Sequence, residues 1–381
     1  MQSPSCTTKY SATGGASASR RLLSRRRVLE ALGVTGVTAL VGACSSGQPA
    51  VPVSGSTLGP VSLPTVTASP VPGKLLIVGN GNLRVFDLSA LQSHQLTYFP
   101  QGAYAASPAL SWDRARIVYT YYVIPKNEQT LGGSDLYTVD ADGKNPKLLQ
   151  KHGAPGATYE VPCWSADDKA VFATHRVPLY DAKNQYQGES LAVHKVSLDG
   201  TAPISLVESA MSPAASPDGK FLAYIPTDKS GQGKGISVGD ADGKNGKPIL
   251  DKAGFSLVNA PCFAPDSARI AFAAVGGPRT AGPSARSAPA PDAEFSFRLP
   301  FAPAVAEAHG IPWDIWTVHP DGSGLTQLTR ISEDTPVPIW SPDGKWIAIA
   351  GEIGVYLVDA QGKQTLRLST AVSAGGIGWL S

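Results

Sequence analysis

Five aspartates recur in the same local setting, and carboxylates in register are the first residues of this chain that could do chemistry. Asp113, Asp167, Asp218, Asp266 and Asp343 each sit in one type of decapeptide. Its clearest copies are Ile339-Trp340-Ser341-Pro342-Asp343-Gly344-Lys345-Trp346-Ile347-Ala348 and Ala214-Ala215-Ser216-Pro217-Asp218-Gly219-Lys220-Phe221-Leu222-Ala223. A ring of such carboxylates could hold a metal ion. Each aspartate also lies inside a hairpin signal, where proline presets φ, Asp accepts hydrogen bonds from backbone two residues on, and glycine takes positive φ at no steric cost. Turn capping is the expected role, with no metal and no cofactor. Asp140-Ala141-Asp142-Gly143 and Asp240-Ala241-Asp242-Gly243 begin like calcium loops but lack the distant glutamate such loops need, and read as turns too.

Other chemistry is thin. There is no Gly-x-Ser-x-Gly elbow, no His-Glu-x-x-His and no Gly-rich phosphate loop. The six histidines are scattered. His194 falls within a strand and is expected to be packed or half exposed, while His152, His175 and His309 can meet only through the fold. Cys163 and Cys262 occupy equivalent positions two repeats apart, too far for the Cα separation of about 7 Å a disulfide tolerates. Two free, buried thiols are expected. Aromatic side chains are favoured anchors in interfaces, which makes Tyr180, Tyr186, Phe295, Phe297 and Phe301 the candidate partner-binding residues.

The elements that position these residues come from internal repeats. Degenerate copies of the decapeptide start at Leu110, Cys163 and Cys262, and a second motif follows each first one: Asp135 to Gly143 matches Asp314 to Gly322 and Gly354 to Gly362. Alternating apolar positions ending in Asp-x-Asp-Gly mark a strand entering a hairpin. Each repeat thus supplies four short strands, A to D, and four-stranded units at this spacing are propeller blades. Lys74–Gly79, Leu83–Leu88 and His94–Phe99 give strands B, C and D of a first unit that lacks an A strand. The run Gly376–Ser381 supplies one, with Trp379 matching Trp340 and Trp164. The expected fold is all-β, a six-bladed β-propeller of four-stranded blades over residues 74–381, its ring closed by the C-terminal strand. Long B–C links are expected at Ile124–Ser134, Arg176–Ser190 and Gly276–Pro312, all on one face.

The N-terminus reads as an address. A basic stretch at 24–29, an uncharged run from Ala31 to Ala43 and small residues before Cys44 make a signal peptide over 1–43. The run is shorter than the roughly 20 apolar residues of a membrane span. Residues 44–73, rich in Ser, Pro and Gly and uncharged before Lys74, read as a flexible tether. Six of the 32 basic residues and one of the 30 acidic ones precede Cys44, leaving 26 against 29. No basic excess or basic block remains to attract nucleic acid.

Ser24-Arg25-Arg26-Arg27-Val28-Leu29 resembles a twin-arginine signal, and Val41-Gly42-Ala43-Cys44 resembles a lipobox. The resemblance implies export of a folded domain directed by Arg25 and Arg26, and lipidation at Cys44. The repeats resemble the TolB-type, WD40-like propeller family over about residues 74–381. Residues 45–73 cannot form the globular α/β domain that precedes the TolB propeller, so the resemblance is to the propeller alone. The expected function is a monomeric, extracytoplasmic scaffold, held to the membrane only by its lipid and binding a protein partner of the cell envelope or periplasm through its B–C loop face. The alternatives are a lyase or hydrolase acting on saccharide or peptide at the central channel, and a small-ligand sensor.

Overall fold

The computed structural model describes residues 63, 65–126, 132–233, 235–250, 254–278, 312–370 and 375–381. Every described element is a β-strand, and the 24 strands fall into six antiparallel repeats of four. The first joins β24 (Ile377–Trp379), β1 (Lys74–Gly79), β2 (Asn82–Asp87) and β3 (Gln92–Gln95) in that order. The second contains β4 (Ala103–Leu110), β5 (Arg116–Val123), β6 (Ser134–Asp140) and β7 (Lys147–Gln150). The third contains β8 (Thr158–Trp164), β9 (Ala170–Tyr180), β10 (Tyr186–Ser197) and β11 (Ile204–Glu208). A single parallel pair, Ser134 with Thr158, merges the second and third into one eight-stranded sheet. The fourth runs β12 (Ala210–Ala215), β13 (Phe221–Pro226), β14 (Ser237–Asp240), β15 (Lys247–Pro248), and the fifth β16 (Phe255–Phe263), β17 (Ile270–Gly276), β18 (Asp314–Val318), β19 (Thr326–Gln327). The sixth is β20 (Val337–Trp340), β21 (Trp346–Ala350), β22 (Val355–Asp359) and β23 (Thr365–Ser369).

Burial follows position within the repeat. The B strands are largely apolar, as in Trp346-Ile347-Ala348-Ile349-Ala350, because a sheet covered on both faces has no polar side to alternate with. The D strands are exposed or half-buried along most of their length. Six apolar clusters hold the repeats together, each shared by two successive repeats. One of them joins the last to the first, packing Ile77, Phe86 and Trp379 against Ala350, Leu357 and Leu368. A fully buried side chain of this kind contributes about 1.5–3 kcal/mol. β24 pairs with β1 through Leu75 with Trp379 and Ile77 with Ile377. The A strands neighbour one another in succession, β4 with β8, β8 with β12, β12 with β16, β16 with β20, β20 with β24 and β24 with β4.

The A–B turns are built alike. Ser111, Ser165, Ser216 and Ser341 each donate a hydroxyl to the aspartate two residues on, at 2.6–2.7 Å. Those carboxylates also accept the backbone N–H of Ala115, Lys169, Lys220 and Lys345. The donors, the serine hydroxyl first, hold Asp113, Asp167 and Asp343 below the usual carboxylate range and Asp218 at about 2. Asp266 accepts Ala268 N–H at 2.9 Å, but Ala264 replaces the serine.

A second device repeats in the A strands and carries no sequence expectation. The A–B register shifts between Ala106 and Ala109, Glu160 and Cys163, Met211 and Ala214, and Asn259 and Cys262. Each shift holds a residue of positive φ directly before a proline: Ser107 (47°), Val161 (47°), Ser212 (52°) and Ala260 (49°). Proline has no N–H to give the ladder and is tolerated at a bulge. A left-handed non-glycine residue costs of order 1–3 kcal/mol and persists where its surroundings fix it.

Three expectations change. The link expected at Arg176–Ser190 is mostly a β-ladder, since β9 and β10 pair from Ala170 with Ser197 out to Tyr180 with Tyr186. Its polar residues alternate along a ribbon closed by Asp181, whose carboxylate accepts the N–H of Lys183 and Gln185. The first D strand is Gln92–Gln95 rather than His94–Phe99, because its pairing to β2 runs Gln92 with Asp87 to Gln95 with Arg84. The described end of the tether lies on the sheets: Thr65 pairs in parallel with Arg367, Val66 N–H donates to its carbonyl at 2.9 Å, and Val66 and Val71 pack on the core shared by the last and first repeats.

Candidate functional site

The four-strand repeat gives the molecule two ends. A–B and C–D turns lie at one, here the turn end; B–C and D–A links lie at the other, the link end. The five turn aspartates belong to the turn end. Among the described residues, no group of three or more His, Cys, Asp or Glu side chains is placed to hold a metal ion.

The densest polar cluster belongs to the third repeat and reaches the link end. Strand alternation places Tyr159, His175 and His194 on the face towards the second repeat, and Glu160, Arg176 and Glu189 on the face towards the fourth. The core clusters agree, since Tyr159 and Ala173 pack with Leu136 whereas Phe172 and Val193 pack with Leu222. On the first face the His175 ring stacks on Tyr159 at 4.5 Å and lies 4.5 Å from His194. His175 Nε2–H donates to the His152 carbonyl at 3.0 Å, and Tyr159 Oη lies 3.2 Å from His194 Nδ1. Burial, and then the neighbouring His175, push His194 down to about 4, while burial pushes the Tyr159 phenol up to about 12. Both are neutral at pH 7.

His152 belongs to the link between β7 and β8. Asp135 Oδ1 accepts its N–H at 2.8 Å and its Nδ1–H at 2.6 Å. The first bond repeats elsewhere: Asn82 accepts Phe99 N–H at 2.9 Å and Asp314 accepts Ile331 N–H at 2.8 Å, each from the start of a C strand. Asp135 is thus first a link cap and second the partner of an imidazole. Burial raises the Asp314 carboxyl above its ordinary value despite those bonds.

On the opposite face Arg176 donates to both oxygens of Glu160, at 3.0 and 3.2 Å, and contacts Glu189. Its side chain is 13% exposed. Burial works against the charge, but Glu160 and Glu189 outweigh it and raise the guanidinium above its ordinary value. Every polar group of this triad is engaged within the protein, as a low-dielectric setting requires.

The surface at the link end is apolar in places. Of the seven exposed large apolar side chains among the described residues, Tyr98, Val123, Ile124, Leu179 and Ile353 lie there, and Trp112 and Ile204 at the turn end. Tyr180 and Tyr186 face each other edge-on at 5.9 Å near the tip of the β9–β10 hairpin. Cys163 and Cys262 are free, and burial pushes both thiols up to about 12. Cys44, Arg25, Arg26, His309, Phe295, Phe297 and Phe301, with most of Gly276–Pro312, lie outside the described residues.

Sequence reasoning named the histidines but not their meeting. The usable signal is His175-Arg176 at the end of the apolar run Ala170–Thr174, where polar residues continue a strand instead of ending it.

These features define the class, an all-β protein with a TolB-like β-propeller fold. No family model matches the chain. The structure is similar to TolB from Acinetobacter baumannii, with a TM-score of 0.55 and 15% identity over 81% of this chain and 66% of that one. It is also similar to a structure of the nidogen/laminin complex, with a TM-score of 0.52 and 13% identity over 81% of this chain and 98% of that one. At such identities the likeness is one of fold alone.

Proposed function

We propose that the chain is an exported, lipid-anchored propeller of six blades whose link end docks a protein partner in the cell envelope. In this reading Arg25 and Arg26 direct twin-arginine export, Cys44 carries the lipid, and the chain is not an enzyme. The six-blade reading draws on six four-stranded repeats, six shared cores and the pairing of β24 with β1, which leaves no repeat short of a strand. Closure in this way also covers the edge of β1.

The observation that carries the docking role is the gathering of exposed apolar side chains at the link end, Tyr98 being 81% exposed. Aromatic and aliphatic side chains of this kind anchor interfaces. Changing Ile124, Leu179 and Ile353 together to Asp is expected to abolish co-purification of the partner from membranes while leaving the unfolding transition in place. Unchanged partners in that variant would contradict the reading.

A second reading, lyase or hydrolase chemistry, draws on the meeting of His152, His175 and His194 on one face of the third repeat and on the Glu160–Arg176 pair on the other. Its weakness is that these groups already satisfy one another: Arg176 is held by two carboxylates, and His175 Nε2–H is spent on a backbone carbonyl. Turnover of a saccharide or peptide that is lost in His175→Ala, with the partner still bound, would favour it.

A further inference from the structure

The β9–β10 hairpin outgrows its own sheet. β8 pairs with β9 only as far as Thr158 with Arg176, and β11 pairs with β10 only as far as Glu208 with Ala192. Beyond those points the ladder continues through Leu191, Ser190, Glu189 and Gly188 opposite Arg176, Val177, Pro178 and Leu179. A two-stranded ribbon therefore projects from the link end, and among the described residues no strand pairs with either of its edges.

Hydrogen-bond parity fixes what those edges offer. Ser209 N–H donates to the Leu191 carbonyl at 2.8 Å, so the backbone groups of Leu191 face the β11 side. Alternation then turns those of Ser190 towards β9 and those of Glu189 outwards. Pro178, opposite Glu189, agrees, because it has no N–H to give the ladder and fits only where backbone groups point away from the partner strand. The β9 edge consequently presents an acceptor with no donor at Pro178, a blunted edge of the kind that resists pairing. The β10 edge keeps both the N–H and the C=O of Glu189, with the bulge at Gln187 beside it. Of the two edges, one is closed and one is open.

We infer that the open edge of β10, in line with β11 beyond Ser209, accepts an extended segment of the partner by β-addition. This rests on the proposed docking role of the link end. Main-chain hydrogen bonds supply affinity in such complexes and alternate side chains supply specificity. Glu208 and Asp181 stand at the two ends of the slot, which fits a segment carrying Lys or Arg. Leu179, 45% exposed on the same ribbon, offers an apolar contact beside it.

The test places a photoreactive benzoylphenylalanine at Gln187, and separately at Ile353, in the full-length lipidated protein in its membranes. The Gln187 adduct is expected to map to one extended, basic segment of one protein. That segment, synthesised as a peptide, is expected to slow exchange of the Glu189 amide about tenfold, the size of one net backbone hydrogen bond. Methylating its amides along the edge that meets β10 is expected to abolish binding, and methylating the opposite edge to leave it. Adducts at Ile353 with none at Gln187 would overturn the inference and leave the docking role standing, whereas no adduct at either would contradict both. Binding indifferent to both methylation patterns would also overturn it.

Discussion

At the turn end, Ser111, Ser165, Ser216 and Ser341 make the same bond to the aspartate two residues on. At the link end the B–C connections range from Asn80-Gly81 in the first repeat to residues 277–313 in the fifth. The buried Arg176 triad and the stacked histidines reach this second end, as do most of the exposed apolar side chains. Uniform turns hold strands in register and leave little room for recognition. Varied links on a rigid base are where proteins place binding residues. The contrast separates what the fold needs from what it can be used for.

Several substitutions would break or sharpen that contrast. The largest effect is expected at neither end but in the seam between the last and first repeats. Trp379→Ala empties a site that is 6% exposed, and should destabilise the domain by about 3–5 kcal/mol in urea unfolding. A loss under about 1 kcal/mol would mean that the C-terminal strand is not a structural part of the first repeat. Next, Arg176→Ala leaves two partly buried carboxylates without their cation and should cost roughly 3 kcal/mol. That would make the triad structural, and a near-neutral result would free Arg176 for a role in recognition.

His194 gives a pH signature. Its folded value lies near 4, below the usual 6.5. The unfolded chain therefore binds the proton more readily, and this contribution is full above pH 6.5 and lost as pH falls from there through 4. The slope of stability between pH 6.5 and 4 should flatten in His194→Gln. The lowered turn aspartates act in a more acid window, their contribution present above about 4 and lost as pH falls through about 2, the value for Asp218.

At the turn end effects should be small and alike. Asp343→Ala removes two hydrogen bonds from a half-exposed carboxylate and should cost about 1 kcal/mol. Asp266→Ala should cost less, because Ala264 supplies no hydroxyl to lose.

Much of the fold was legible because its signals are local. Ser-x-Asp turns announce hairpins, β1 has the bounds read from the sequence, and Trp379 was recognisable as a counterpart of Trp340 and Trp164. The β9–β10 ribbon was not legible, because Arg176, Pro178, Asp181 and Gln187 carry the composition of a loop while their backbone continues a ladder. The four bulges were equally hidden, although Ser107-Pro108, Val161-Pro162, Ser212-Pro213 and Ala260-Pro261 recur at one place in the second to fifth repeats. The meeting of the histidines was not legible beyond the polar His175-Arg176 step in β9, since strand pairing and the packing of two repeats bring His152, His175 and His194 together.

The central claim is that recognition belongs to the link end. Its most direct test is quantitative partner recovery from membranes with the lipidated chain carrying Ile124→Asp, Leu179→Asp and Ile353→Asp, set against Trp112→Asp and Ile204→Asp at the turn end. Recovery is expected to collapse in the first variant and to stay at the unsubstituted level in the second, with both folded. Equal recovery from the two, or loss only in the second, would contradict it.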